Sequence, residues 1–362
     1  MYKADADKYD MIRVGIVFGG RSGEHDVSLM SATSVIKTLV GTEHQIICIG
    51  ITRQGEWKLF EGEVSDIESG NWERNAVAFN ISNIKDYIDF AFPVLHGPFG
   101  EDGTIQGLFE MLDVPYAGAG VLASSLAMDK IVAKDIFAAH GIPICKHTSV
   151  MFEEFGDDDE RLARCIEDKL FGKYPFFVKP ANMGSSVGVT KAKDRGSLIS
   201  ALYEAARYDR RILIEEGLVV RELEVAMLGN IGAEASVVGE ILPSEEFYSY
   251  SAKYFDGGKS KTIIPAKICH DVSDNIRQIA VKAYEALDCN GFARVDFFLE
   301  KETNKIYVNE INTIPGFTRY SMFPMLWQGS GLTYQWLLER IIQLGLKRYN
   351  ARKAHANQAF NS

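Results

Sequence analysis

Patterned sequence begins at Met11, where MIRVGIVFGG reads as an apolar strand running into a glycine turn. DVSLMSATSVIKTLV behind it reads as a helix, HQIICIGIT as a second strand and YIDFAFPVLHG as a third. Strand–helix–strand order implies a parallel sheet covered by helices, with ligands at the carboxyl ends of the strands. FGGRSGE and LHGPFGEDG both sit where strands end. The first departs from the GxGxxG spacing of dinucleotide domains, which argues against NAD. A second unit starts near Val121. There AMDKIVAKDIFAAHG predicts one helix, stopped by Gly141 with Pro143 just beyond. The strand YPFFVKP, the loop ANMGSSVGV, a helix through LISALYEAARY and the strand RILIEEGL follow. A third unit from about Val219 carries more strands, a long loop from Pro243 to Pro265 and the helix NIRQIAVKAYEAL. Ile276, Ile279, Ala280, Ala283 and Leu287 line one face of that helix, a stripe read as core. TYQWLLERIIQLGLK is the last predicted helix, before a polar tail at 349–362.

Two strands near the end carry the densest chemistry. ARVDFFL (Ala293 to Leu299) and YVNEINTIPGF (Tyr307 to Phe317) are separated by the polar turn Glu300-Lys301-Glu302-Thr303-Asn304. Side chains alternate faces along a strand, so Arg294 and Asp296 share one face, as do Glu310 and Asn312. A hairpin over that turn sets Asp296 opposite Glu310 and Arg294 opposite Asn312. Oxygen donors of this kind suit a hard cation such as Mg²⁺, which usually shares them with substrate phosphates. An exposed salt-bridged face is the plainer reading. The added Arg294 and the rigid Asn-Thr-Ile-Pro-Gly exit favour a metal–nucleotide site.

A chain of 362 residues is long enough for two or three domains, and 46% apolar with 24% charged residues is ordinary for a globular protein. A net charge of −10 argues against general affinity for nucleic acid or an anionic membrane. No apolar run approaches the roughly 18–20 residues of a membrane helix. The polar, acidic start MYKADADKYD does not read as a secretory signal. Cys48, Cys145, Cys165, Cys269 and Cys289 are odd in number and scattered, which fits reduced thiols in a cytoplasm and core filler rather than nucleophiles.

GSSVG (Gly184 to Gly188) follows the Lys179 strand. Glycines let backbone N–H groups approach phosphate oxygens, and Ser185 and Ser186 add hydroxyl donors. Such clusters are usually turns, but Lys179 offers a charge for the same anion. Lys130, early on a helix where a cation is a poor match to the dipole, is a second candidate beside its reading as a solvated lysine. ILIEEGL ends in acids, followed by Glu222. These could accept hydrogen bonds from a nucleoside or be surface charges, and periodicity does not decide between the two.

In their order along the chain, VLHGPFGEDGTIQG, AMDK, FVKPANMGSSVGV, ILIEEG, YSAKY, GFARVDFF and VNEINTIPGFT resemble the D-alanine–D-alanine ligases, which are ATP-grasp carboxylate–amine ligases. The resemblance runs from about Met11 to Lys347. It implies an α/β chain of three domains: 11–120 with the first-substrate site, 121–218 with the GSSVG lid, and 219–350 with the metal site and a substrate-covering loop. ATP would lie between the second and third. It implies phosphorylation of one D-alanine carboxylate by ATP, attack by the amine of a second D-alanine, and loss of phosphate. The product would feed peptidoglycan synthesis in a cytoplasmic homodimer.

Position by position, the resemblance makes Lys130 and Lys179 the ATP-phosphate lysines under the Ser185–Ser186 loop. Glu215 and Glu222 become the adenine and ribose acceptors, with Leu218 beside the base. Asp296, Glu310 and Asn312 become ligands of two Mg²⁺ ions, or of Mn²⁺, with Glu310 bridging. Arg294 and the backbone N–H of Gly316 form the oxyanion hole. Glu24 holds the first ammonium, oriented by Ser185 and Tyr254. Lys253 and Ser321 hold the second carboxylate, Met322 meets its methyl group, and His96 lies near both substrates or serves a structural role. No residue announces itself as the base for the attacking amine.

The aromatic-rich loop from Pro243 to Pro265 is expected to act as a lid that orders with ATP and substrate; equal protease sensitivity with and without them counts against that. Relatives using D-lactate often carry Phe or His at the place of Tyr254, and those using D-serine tend to carry Arg at that of Met322. Both positions here fall on the D-alanine side. A peptide or glutathione-type synthetase is disfavoured by YSAKY and GEDGTIQG. A non-catalytic nucleotide sensor is disfavoured by the intact Arg294, Asp296, Glu310 and Asn312.

Overall fold

The computed structural model describes residues 11–156, 158–242 and 261–360. β1 (Arg13–Gly19), α1 (His25–Leu39) and β2 (Gln45–Ile51) form the first strand–helix–strand unit. β3 (Trp57–Phe60), α2 (Val64–Glu68), β4 (Ala76–Ala78), α3 (Ile84–Tyr87) and β5 (Phe90–Pro93) complete a sheet of order β4-β3-β2-β1-β5. β1 runs parallel to β2 and β5, as the sequence order requires. β3 and β4 add an antiparallel edge that the sequence reading lacked; strands of four and three residues are too short to show a period. β1 ends in Gly19, whose φ of +89° and closeness to the Ile51 carbonyl leave no room for a side chain.

α4 (Thr104–Met111), α5 (Val121–Met128) and α6 (Lys130–Ala139) come next. The single helix expected over AMDKIVAKDIFAAHG is therefore two. Asp129 breaks it in an extended conformation, and its carboxylate accepts the N–H groups of Ile131 and Val132 at 3.1 and 3.0 Å. Lys130 thereby becomes the first residue of α6.

The second sheet contains β6 (His147–Met151), β7 (Phe176–Pro180), β8 (Thr190–Ala192) and β9 (Arg211–Glu216), in the order β6-β9-β7-β8 and antiparallel throughout. α7 (Asp159–Lys169) and α8 (Arg195–Ala206) cover it through Ile166, Leu198 and Leu202.

The third sheet is built from β10 (Val220–Leu228), β11 (Glu234–Ala235), β12 (Gly239–Leu242), β13 (Lys261–Ile263), β14 (Phe292–Glu300) and β15 (Ile306–Asn312). Its order is β13-β12-β10-β14-β15, with β11 beside β10. α9 (His270–Ala286) presents Ile276, Ala280 and Ala283, all fully buried, to this sheet, while Ile279 is only half-buried. α5 and α6 join the same core through Ala127 and Phe137. β13 replaces the end of the loop expected from Pro243 to Pro265. The rest of that loop, and the lid behaviour expected of it, lies outside the described residues.

α10 (Met322–Gly329) and α11 (Tyr334–Phe360) close the chain. α11 runs far past Lys347, so the tail expected at 349–362 is helical as far as 360. Ala, Arg, Lys and Gln favour helix there, and Tyr349 and Lys353 reach Asp113 at 2.9 and 3.1 Å. The largest core cluster joins Val14 and Phe92 of the first sheet to Phe317, Phe323 and Leu337. The Phe317 ring packs edge-on against Phe92 at 5.7 Å and Phe292 at 5.2 Å. That packing brings the IPGF turn after β15 against the first sheet.

Candidate active site

β14 and β15 pair with Arg294 opposite Asn312 and Asp296 opposite Glu310, the register read from the sequence. Arg294 grips Asp296 with a fork, Nε to Oδ1 at 2.6 Å and Nη2 to Oδ2 at 2.7 Å. Its Nε also lies 2.9 Å from Glu224 on β10, and Asn312 donates to Asp296 Oδ2 at 3.0 Å. Burial pushes the Arg294 pKa down, but the Asp296 and Glu224 carboxylates outweigh it and raise it well above the ordinary value. Asp296, Glu310 and Asn312 offer only oxygen donors on one face, which fits a hard cation. Among the described residues, no group of three or more His, Cys, Asp or Glu side chains could hold an ion by itself. A cation here would draw further oxygens from bound phosphate.

A cavity of about 780 Å³ opens between the second and third sheets. All seven residues expected to hold nucleotide line it: Lys130, Lys179, Ser185, Ser186, Glu215, Leu218 and Glu222. Lys130 is not a solvated lysine. Its Nζ donates to the Met183 carbonyl at 2.7 Å and lies 3.4 Å from Glu310. Glu215 is no surface charge either, being buried at 2% exposure between Lys179 at 2.5 Å and Lys134 at 2.6 Å. Burial alone would raise its pKa; the two lysines overcome that and bring it down to about 2. Burial lowers and Glu215 raises the Lys179 pKa, with a net rise.

Lys134 went unread in the sequence, although its i, i+4 spacing from Lys130 puts both on one face of α6. Ser185 and Ser186 hold left-handed φ values of +50° and +59°, uncommon for residues with a side chain. Cys145 also lines this cavity; burial pushes its thiol up to about 12, which removes it as a nucleophile.

A second cavity, of about 610 Å³, is lined by Glu24, His96, Arg294, Gly316, Ser321 and Met322. Glu24 immediately precedes α1 and is buried. A Cβ on Gly184 would fall 2.6 Å from Glu24 Oε1, so the GSSVG loop closes directly over that carboxylate. Ser321 Oγ lies 2.7 Å from where a Gly316 Cβ would sit, and 2.8 Å from Thr318 Oγ1. Met322 is buried and also belongs to the main core.

His96 has both ring nitrogens engaged. Nδ1 is 2.9 Å from the Ile314 carbonyl and Nε2 is 2.9 Å from Ser31 Oγ. Burial lowers its pKa despite nearby Glu24, so the neutral ring donates from Nδ1 and accepts at Nε2. It thus ties the first sheet to the turn after β15. Glu101, in the segment GEDG, is a further acid of this cavity that no local pattern singles out. It accepts the Gly97 N–H at 2.9 Å, and burial together with Glu24 pushes its pKa up to about 8. Lys253 and Tyr254 lie outside the described residues.

The two cavities abut along a seam, sharing Lys130, Met183, Ser185, Glu224, Ile241 and Glu310. A D-ala D-ala ligase N-terminus description matches residues 13–119 and a D-ala D-ala ligase C-terminus description matches residues 136–343. The chain belongs to the D-alanine–D-alanine ligase family. Its members are ATP-dependent ligases that generally use Mg²⁺. A D-alanine–D-alanine ligase of Thermoanaerobacter sp. strain X514 is 48% identical over 353 residues, covering 93% of this chain and 97% of the relative. One from Acetivibrio thermocellus is 48% identical over 369 residues, covering 94% and 97%. Among solved structures, the D-alanine–D-alanine ligase of Coxiella burnetii superposes with a TM-score of 0.84 at 32% identity, covering 96% of this chain and 98% of that one. The VanG D-Ala:D-Ser ligase of Enterococcus faecalis gives 0.83 at 36% identity, covering 93% and 100%. The α/β architecture with a mostly parallel first sheet is thus that of the D-alanine–D-alanine ligase family.

Proposed function

We propose that the chain joins two D-alanine molecules into D-alanyl-D-alanine with hydrolysis of ATP, through a D-alanyl phosphate, for peptidoglycan precursor synthesis. The observation that carries this reading is the seam. A nucleotide-sized cavity meets an amino-acid-sized one where Lys130 and Glu310 stand 3.4 Å apart. A carboxylate in the second cavity can reach the terminal phosphate of a nucleotide in the first.

Lys130, Lys179, Ser185 and Ser186 hold the phosphates, while Glu215, Leu218 and Glu222 hold the adenosine. Asp296, Glu310 and Asn312 would hold two Mg²⁺ ions, or Mn²⁺, with Glu310 shared; bound there, the ions neutralise charge during phosphoryl transfer. Glu24 binds the first ammonium, with Ser185 and Tyr254 orienting it and His96 alongside. The first carboxylate takes the terminal phosphoryl group and ADP departs. The second D-alanine is held by Lys253 and Ser321, with its methyl against Met322. Its amine forms the new C–N bond, and the C–O bond to phosphate then breaks. Arg294 and the Gly316 N–H donate to the oxygen that carries the negative charge between those events. The division into 11–120, 121–218 and 219–350 suits these roles, and a cytoplasmic homodimer is the expected assembly. The five cysteines, all free thiols, support a reducing compartment.

A second reading, D-serine as the second substrate, draws on the likeness to the D-Ala:D-Ser ligase. ATP-dependent phosphate release with Mg²⁺ separates the two. D-alanine alone should suffice, giving D-alanyl-D-alanine by mass. Release only from D-alanine with D-serine or D-lactate would overturn the assignment of Tyr254 and Met322.

A further inference from the structure

We propose that Glu224 is a positioning residue that keeps the Arg294 guanidinium in the seam when a divalent cation draws Asp296 away from it. The inference rests on Asp296 as a metal ligand and Arg294 as the oxyanion donor. Both oxygens of Asp296 are already engaged. Oδ1 accepts from Arg294 Nε at 2.6 Å, and Oδ2 accepts from Nη2 at 2.7 Å and from Asn312 at 3.0 Å. A cation bound at roughly 2.0–2.1 Å competes with these contacts for the carboxylate, and it repels a guanidinium sharing the same group. Held by Asp296 alone, Arg294 would either compete with the cation or lose its anchor as the cation enters.

Glu224 supplies the second anchor. It stands directly across the β10–β14 ladder from Asp296, so the two carboxylates project from the same face of the sheet. It is buried, it borders both cavities, and its Oε2 is already 2.9 Å from Arg294 Nε. Nε is therefore common to both pairs. Arg294 can turn from Asp296 to Glu224 about that atom without moving either strand. The planar fork of arginine makes such a transfer between carboxylates possible, where a lysine would bind as a point charge.

The test uses the full chain with Mn²⁺ and ADP. Mn²⁺ affinity is followed by electron paramagnetic resonance, beside kcat and the KM for ATP. Glu224→Gln leaves Arg294 to Asp296 alone, so Mn²⁺ binding should weaken by about 10-fold and kcat fall by about 10- to 100-fold, the range seen for outer-shell partners of metal ligands. KM for ATP should change far less. Glu224→Asp, which keeps the charge, should recover most of the Mn²⁺ affinity.

Because Glu224 acts through Arg294, Glu224→Gln should cost little further in an Arg294→Met background. Mn²⁺ affinity in Glu224→Gln within twofold of wild type overturns the proposal, and so does full additivity with Arg294→Met, which would mean a direct charge effect. Should Glu224→Gln fail to fold, Glu224→Met takes its place with the same expected loss, and Mn²⁺ affinity there within twofold of wild type also overturns it. A wild-type protein that binds no Mn²⁺ overturns the metal reading, and this inference with it.

Discussion

Arg294 combines a permanent charge with a two-pronged geometry, and the two can be separated by substitution. Arg294→Lys keeps a cation between Asp296 and Glu224 but loses the fork. Removing one oxyanion donor typically costs about 10²- to 10³-fold in rate; kcat for phosphate release should fall by that order while the urea midpoint moves little. Glu101 gives a pH-dependent outcome. Its pKa is raised in the folded chain, to about 8. Its contribution to stability is therefore complete below the ordinary carboxylate range and is lost as pH rises through about 8. Glu101→Gln, neutral at every pH, should match wild type in urea denaturation near pH 4 and exceed it by at least about 1 kcal/mol at pH 9. A constant difference across that range would count against the raised pKa. Arg294, Asp296, Glu310 and Asn312 were legible in the sequence because strand alternation alone puts them on shared faces. Lys134 and Glu224 were not, since each is given its meaning by a partner on a distant element.

The GSSVG loop shows how one short element links the two cavities. A methyl group on Gly184 would first meet the tip of Glu24, at 2.6 Å, with the Gly97 backbone next at 3.7 Å. Gly184→Ala should therefore displace a flexible carboxylate at little cost in stability. The KM for D-alanine should rise several-fold with the KM for ATP nearly unchanged, as initial-rate kinetics would show. Equal changes in both constants would argue that the loop moves as a whole. The β14–β15 hairpin was readable because its turn and its alternation agree. The α5–α6 break was not, because the apolar pattern continues across Asp129 and only the cap geometry interrupts it. α11 was read too short because its polar end packs on Asp113, a contact that no helical period announces.

At the scale of the whole molecule, the seam lies between the second and third sheets and the third shares its core with the first, so ligands that fill the seam should stabilise the entire chain. ATP with Mg²⁺ at about 100 times its Kd should add roughly 2.7 kcal/mol, visible as a higher melting temperature. Chelating the metal with EDTA should remove most of that gain, and Asp296→Asn should show little Mg²⁺-dependent gain to begin with. Undiminished stabilisation in Asp296→Asn would move the metal elsewhere. By itself the sequence determined the longer strands such as β1, β2, β14 and β15, the hairpin register and the types of donor at the site, because alternation and turn chemistry act over a few residues and need no distant partner. Only the tertiary structure decided that Glu215 lies buried between two lysines, that His96 fastens the first sheet to the turn after β15, and that Arg294 is shared by two carboxylates. Those outcomes depend on which elements pack together and on how completely they exclude water, and both are properties of the assembled core.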